Sequence, residues 1–376
     1  MDAQIPQKAH LQGEAHLQGE APVQVEERNL GLDGLRGIAA LSVALGHCLL
    51  HVTGLPLWDT SLRDFPSMPW SDIGIRVVSS LLPSDAAVMV FFVLSGHVLW
   101  GSFQRKRLRF FADLPDYASA RIYRLFPVAI ASALPLGLLK PVSAAELVRN
   151  MLLLSNSVNG VLWSLQVEVV ASFALFAVWG LTRGVAWKLL LALALALVAA
   201  RFAHGQFPVL FFPAFILGAL ISSVPQRVWR NHWLLAGATT ALVFASLFLG
   251  HNGTSRLLQM AAATVLVGCV ARGSLRFLRG RIPVFLGAVS YPFYLTHLVG
   301  LTLAEPMLAA LSPMPRLAIT AAYAVASIAV TLPLAWLLHV LVENPCLRAR
   351  PRIGPTARRM VGSAGAGISG PDRDPG

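Results

Sequence analysis

The sequence predicts an all-α integral membrane protein with about ten transmembrane helices and both termini on the cytoplasmic side. Three observations carry this. Only 13% of the residues are charged and 56% are hydrophobic, whereas a soluble domain carries about a quarter charged residues. Apolar runs of roughly 17–25 residues recur along the chain, enough to cross a hydrocarbon core of about 30 Å. In lipid the backbone must satisfy its own hydrogen bonds, so such runs are helices. Finally, Lys and Arg fall in short loops between the apolar runs, the pattern that sets membrane orientation rather than nucleic-acid binding.

Taken in order, residues 1–29 form a polar tail in which AHLQGE occurs at 9–14 and again at 15–20. This composition reads as disordered, with no secretory signal peptide. Spans are expected near 31–51, 85–102, 121–139, 161–181, 185–202, 207–223, 233–250, 256–271, 283–308 and 316–342. Residues 143–156 are too short to cross and read as an amphipathic surface helix. The membrane unit is taken as 30–345, and 346–376 as a basic, flexible tail. With the N-terminus inside, 23 of the 30 Lys and Arg fall on the inner side and 7 on the outer. This bias fits ten spans with both ends inside, and the expected location is the cell (inner) membrane, as a multi-pass protein. The three cysteines, Cys48, Cys269 and Cys346, suggest neither a disulfide framework nor a metal site.

Ionisable groups inside spans are costly and tend to face a cavity or a partner. Glu168 is the acid that lies clearly within an apolar run, and His47, His97, His297 and His339 are the embedded histidines. Arg36 and His47 are eleven residues apart. On a helix that spacing returns to within about 20° of the same face with a rise of about 16 Å. The pair reads as one polar stripe running from a membrane rim to mid-bilayer. Taken singly, each residue also fits a plainer role, an anchoring arginine and an interhelical hydrogen bond. Ser290, Tyr294 and His297 share a face by their spacing. Trp163 and Ser164 lie near the outer end of the fourth span, where Trp serves as an interface anchor or a stacking surface. His339 reads as structural.

Six segments occur in a fixed order: LDGLRGIAALSVALGHCLLH, FFVLSG, RIYRLFP, WSLQVE, LGAVSYPFYLTH and VENP. Together they resemble the membrane acyltransferase-3 family, which O-acylates sugars, polysaccharides, antibiotics and other acceptors. The resemblance covers about residues 30–350. Met89, His97 and Val169 stand where that family's pattern often has an Asp, an aromatic residue and a second acid.

The resemblance implies acyl transfer from acyl-CoA, chiefly acetyl-CoA, to a hydroxyl of a sugar, polysaccharide or glycosylated metabolite, without a metal. His47 is then the candidate general base, since an imidazole titrates near neutrality. Glu168 is the candidate to orient its ring, as a carboxylate does in a hydrolase triad. Arg121 and Arg124, spaced i, i+3, and Arg36 are the candidate acyl-CoA ligands. Trp163, Ser164, Tyr294 and His297 are the candidate acceptor-binding residues. The expected partners are the lipid bilayer, acyl-CoA and a hydroxylated glycan, with no nucleic acid. The alternative is a proton-coupled secondary transporter of a small polar or sugar-like solute, although the halves show no convincing internal repeat.

Overall fold

A computed structural model describes residues 29–54, 62–203, 207–250, 252–311 and 313–353. The polar N-terminal repeat and the segment after 353 lie outside these residues. Among the described residues the regular secondary structure is all helical, with no strand. The longer helices are α1 (Leu30–Thr53), α2 (Trp70–Ser80), α3 (Ser84–Lys106), α4 (Phe110–Leu139), α5 (Ala144–Met151), α6 (Leu162–Thr182), α7 (Ala186–Phe202), α8 (Phe207–Leu220), α9 (His232–Phe248), α10 (Gly253–Ala271) and α11 (Arg281–Ala304). The short α12 (Met307–Leu311), α13 (Arg316–Leu338) and α14 (Asn344–Ala349) complete the order.

Every predicted span falls on a helix, but length separates them. Seven helical segments are long and apolar enough to cross a membrane: α1, α2 with α3 as one unit, α4, α6, α10, α11, and α13 running on into α14. The other three predicted spans, α7, α8 and α9, have 17, 14 and 17 residues. At about 1.5 Å per residue, 17 residues extend about 26 Å, just short of the hydrocarbon core. Seven helices of this length and apolarity make this a multi-pass membrane protein.

Local chemistry sets the ends of the helices that matter for the site. Asn29 caps α1 by accepting from the backbone N–H groups of Gly31 and Leu32, and its amide donates to the Ala271 carbonyl at 3.0 Å, tying α1 to the end of α10. Glycines then bring α1 against α11. A Cβ on Gly37 would lie 2.5 Å from the Gly287 nitrogen, and one on Gly287 only 2.1 Å from the Asp33 carbonyl oxygen. A second close crossing joins α3 to α8, where Gly96 meets the Phe215 carbonyl and Gly218 meets that of Val93. Small residues at such crossings let backbones approach in the absence of a hydrophobic drive between helices.

Two parts of the chain differ from the expectation. The helix α2 precedes the second span, and Pro83 marks the junction with α3. Residues 346–353, the start of the basic tail, are held to α4. Arg350 pairs with Asp116 at 2.5 Å, and Ser119 donates to the Pro351 carbonyl. The loop after the short helix α5 also reaches the interior: the amide of buried Asn159 donates to the Leu295 carbonyl on α11 at 2.9 Å.

Candidate active site

A cavity of about 710 Å³ opens between α1, α3, α4, α6, α11 and the end of α13, within the range of small-molecule sites. One end is charged. Arg36 bonds Asp33 at 2.7 Å, Arg121 bonds Glu168 at 2.6 Å, and Arg124 faces Glu343 at 3.5 Å. Glu343, 3% exposed, also meets His339 Nδ1 at 2.7 Å. A local widening of the helix brings that last pair together. Residues His339–Glu343 form one turn of π-helix, closed by the Asn344 N–H on the His339 carbonyl. Pro345 has no N–H to offer the preceding turn, so regular α-helical bonding lapses there.

Ser164 on α6 and Tyr294 on α11 line the cavity as well. Ser164 donates its hydroxyl proton to the Val161 carbonyl at 2.9 Å. Its oxygen therefore accepts from the Tyr294 phenol, 2.8 Å away. The edge of Phe91 packs on the Tyr294 ring, with centroids 5.5 Å apart. One turn farther along α11, beyond Tyr294, stands His297, 2% exposed. Its ring centroid is 5.8 Å from that of Tyr294 and 5.0 Å from that of His47. The α1–α11 crossing thus pairs the two histidines, with His297 Nε2 at 3.2 Å from His47 Nδ1.

The hydrogen bonds fix the tautomers. A carbonyl oxygen only accepts, so His297 Nδ1, 2.6 Å from the Tyr294 carbonyl, carries a proton, and its Nε2 is an acceptor when neutral. His47 Nδ1, 3.0 Å from the Val43 carbonyl, is likewise protonated and directs its N–H between that oxygen and His297 Nε2. The unprotonated nitrogen of neutral His47 is then Nε2.

This arrangement corrects the sequence reading at several points. Glu168 does not meet His47: its carboxylate holds Arg121, because α6 faces α4 while the packing of α1 on α11 gives His47 a histidine neighbour. Arg36 and His47 do share α1, but only Arg36 lines the cavity, and Tyr294 and His297 stand between its end and His47. Trp163 also lies outside the cavity lining; its ring packs on Phe211 at 5.3 Å and on Phe92 at 6.2 Å. Ser164 and Tyr294 do line the cavity, bonded to each other.

Comparison with known proteins places this architecture. Residues 29–340 match the acyltransferase domain of the acyltransferase-3 family. The chain belongs to this family. It is an acyltransferase, and it is 27% identical over 385 residues to Acyltransferase MdmB of Streptomyces mycarofaciens, a match that takes in 87% of this chain and 93% of that relative. No solved structure matches it. The acyltransferase cavity also contains Asp33, Tyr291 and Glu343, which the sequence left without a role, and His339, which it read as structural. Signals for them existed. Asp33 precedes Arg36 by three residues and His339 precedes Glu343 by four, spacings that put partners on one helical face. Tyr291 donates to the Leu125 carbonyl at 2.5 Å, a contact between distant segments that no local pattern reveals.

Proposed function

We propose that this acyltransferase moves an acyl group, chiefly acetyl, from acyl-CoA to a hydroxyl of a sugar, polysaccharide or glycosylated metabolite, with His47 as general base. The observation that carries the reading is the His47–His297 pair, its protons placed by backbone carbonyls, beside the cavity-lining Tyr294. The charge bias of the loops supports a cytosolic position for the arginine-lined end, the side on which acyl-CoA is found.

The chemistry follows from the atoms. Nε2 of His47 takes the acceptor's hydroxyl proton as that oxygen attacks the thioester carbonyl. The imidazolium keeps its Nδ1–H on His297 Nε2, a charge-assisted bond to a neutral acceptor where a hydrolase would use a carboxylate. The tetrahedral intermediate collapses with loss of the CoA thiolate, which recovers the proton from His47. The Tyr294 phenol lies between the cavity and the histidines. By leaving Ser164 it can donate to the developing oxyanion, a contribution usually worth about 10²–10³ in rate.

Mass spectrometry of glycans and metabolites from cells with and without the gene tests this reading. A mass increment equal to one acyl group on a hydroxylated product is expected only when the gene is present. Identical product spectra, with the protein in the membrane, would contradict the reading.

A further inference from the structure

The hydrogen bond from Tyr294 to Ser164 joins two helices that pack mainly on others. Tyr294 stands on α11, which packs chiefly on α1 and α13, and Ser164 on α6, which packs chiefly on α3 and α8. Helix packing alone therefore fixes the phenol poorly relative to the hydroxyl. A misplacement of about 1 Å in a reacting site costs on the order of 10²-fold in rate, so a specific tie between the two backbones has kinetic value.

Asn159 supplies that tie from the loop before α6, and it is wholly buried. Its side-chain nitrogen donates to the Leu295 carbonyl at 2.9 Å, and Leu295 directly follows Tyr294. Its side-chain oxygen accepts the Val161 N–H at 3.4 Å. Val161 is the N-cap residue of α6, and its carbonyl accepts the Ser164 hydroxyl. One amide thus grips the backbone next to each end of the Tyr294–Ser164 bond. The amide has one possible orientation, since a carbonyl only accepts and an N–H only donates. The helix itself does not require this bond: a helical carbonyl keeps a second lone pair beyond the one used in its ladder. The loop is anchored in turn, with the Asn159 N–H on the side-chain oxygen of buried Asn150 on α5 at 3.0 Å.

We propose that Asn159 is a positioning residue of this acyltransferase, which sets the Tyr294 phenol in register by holding α11 to the first turn of α6. The inference rests on the role of Tyr294 given above. Asn159 touches neither donor nor acceptor and acts through Tyr294.

A double-mutant cycle on the full chain in nanodiscs tests it, with steady-state transfer from acetyl-CoA to the acceptor identified by mass spectrometry. Asn159→Ala should lower kcat about 10-fold or more, with the KM for acetyl-CoA within about threefold of the wild type. Placed on Tyr294→Phe, the same change should cost less than about twofold, because residues that act as a unit are not additive. Asn150→Ala is the control for a purely structural role. It loosens the same loop but leaves both side-chain bonds of Asn159 in place, and should keep kcat within about threefold. Asn159→Asp fills the same space without an N–H for Leu295, and serves the cycle where the alanine variant does not accumulate. Losses that multiply in the double variant, or an equal fall in kcat for Asn150→Ala, would overturn the inference. So would absence of both Asn159 variants from the membrane, which would make Asn159 a folding residue. Wild-type kcat in Tyr294→Phe would overturn the Tyr294 role itself, and this inference with it.

Discussion

At the scale of single residues, the account turns on which atoms of His47 are occupied. Nδ1 donates toward Val43 and His297, so the proton-accepting atom is Nε2. His297 acts through His47 rather than on substrate, as a positioning residue. His297→Gln keeps an acceptor at the end of the side chain and should retain much of the activity. His297→Ala leaves the imidazolium without that acceptor and should lower kcat roughly 10-fold or more, in line with one hydrogen bond to a charged group, with little change in the KM for donor. Steady-state kinetics on both variants check this, and equal losses in the two would count against the role. Tyr294→Phe removes the phenol but keeps the ring against Phe91, and should reduce kcat by about 10²–10³. The cost of ionisable groups in a span made His47 visible, and the face shared with Ser290 and His297 made Tyr294 visible. It did not show which carboxylate or imidazole stands beside His47, because helix-to-helix contact is set by packing that a linear pattern does not encode. The expectation that Glu168 would serve there failed for that reason.

At the scale of elements, glycine contacts decide where the site assembles. Gly37 and Gly287 let α1 and α11 approach until His47 meets His297. Gly37→Ala puts a methyl group 2.5 Å from backbone atoms that cannot move aside. It should destabilise the protein by about 1–3 kcal/mol, the usual cost of overpacking, and depress activity more than stability alone would explain. Gly74→Ala makes the contrast. A Cβ there meets nothing within 4 Å and the residue lies inside α2. That change should be neutral or stabilising by up to about 1 kcal/mol. Thermal unfolding in detergent measures both. Asn159→Ala should cost about 1–3 kcal/mol by leaving buried polar groups unsatisfied beside Leu295, with the same assay as the check. The positions of the ten expected helices were legible from hydropathy. The π-turn at His339–Glu343 was not, since it arises from the Asn344–Pro345 junction and brings together residues whose individual letters look ordinary.

At the scale of the whole molecule, the charge distribution and the cavity point the same way. The basic loops are expected to lie on the inner side of the bilayer, and one end of the cavity carries the arginine–carboxylate pairs. Seven helices meet the length for crossing, and α7, α8 and α9 bring the expected number to ten. An even number of crossings returns the C-terminus to the side of the N-terminus. A fluorescent protein fused after Gly376 should therefore be bright in the cytosol, whereas an alkaline phosphatase fusion at the same point should be inactive. The reverse pattern would favour an odd count. The most direct measurement of the central claim is acyl transfer by His47→Asn, made with acetyl-CoA and the acceptor identified by mass spectrometry, beside acetyl-CoA binding in the same nanodisc preparation. Asparagine keeps a donor for Val43 and His297 but has no proton-accepting nitrogen. Donor binding should persist while transfer falls about 10²–10⁴-fold, the usual contribution of a general base; transfer within a few-fold of the wild type would contradict the account.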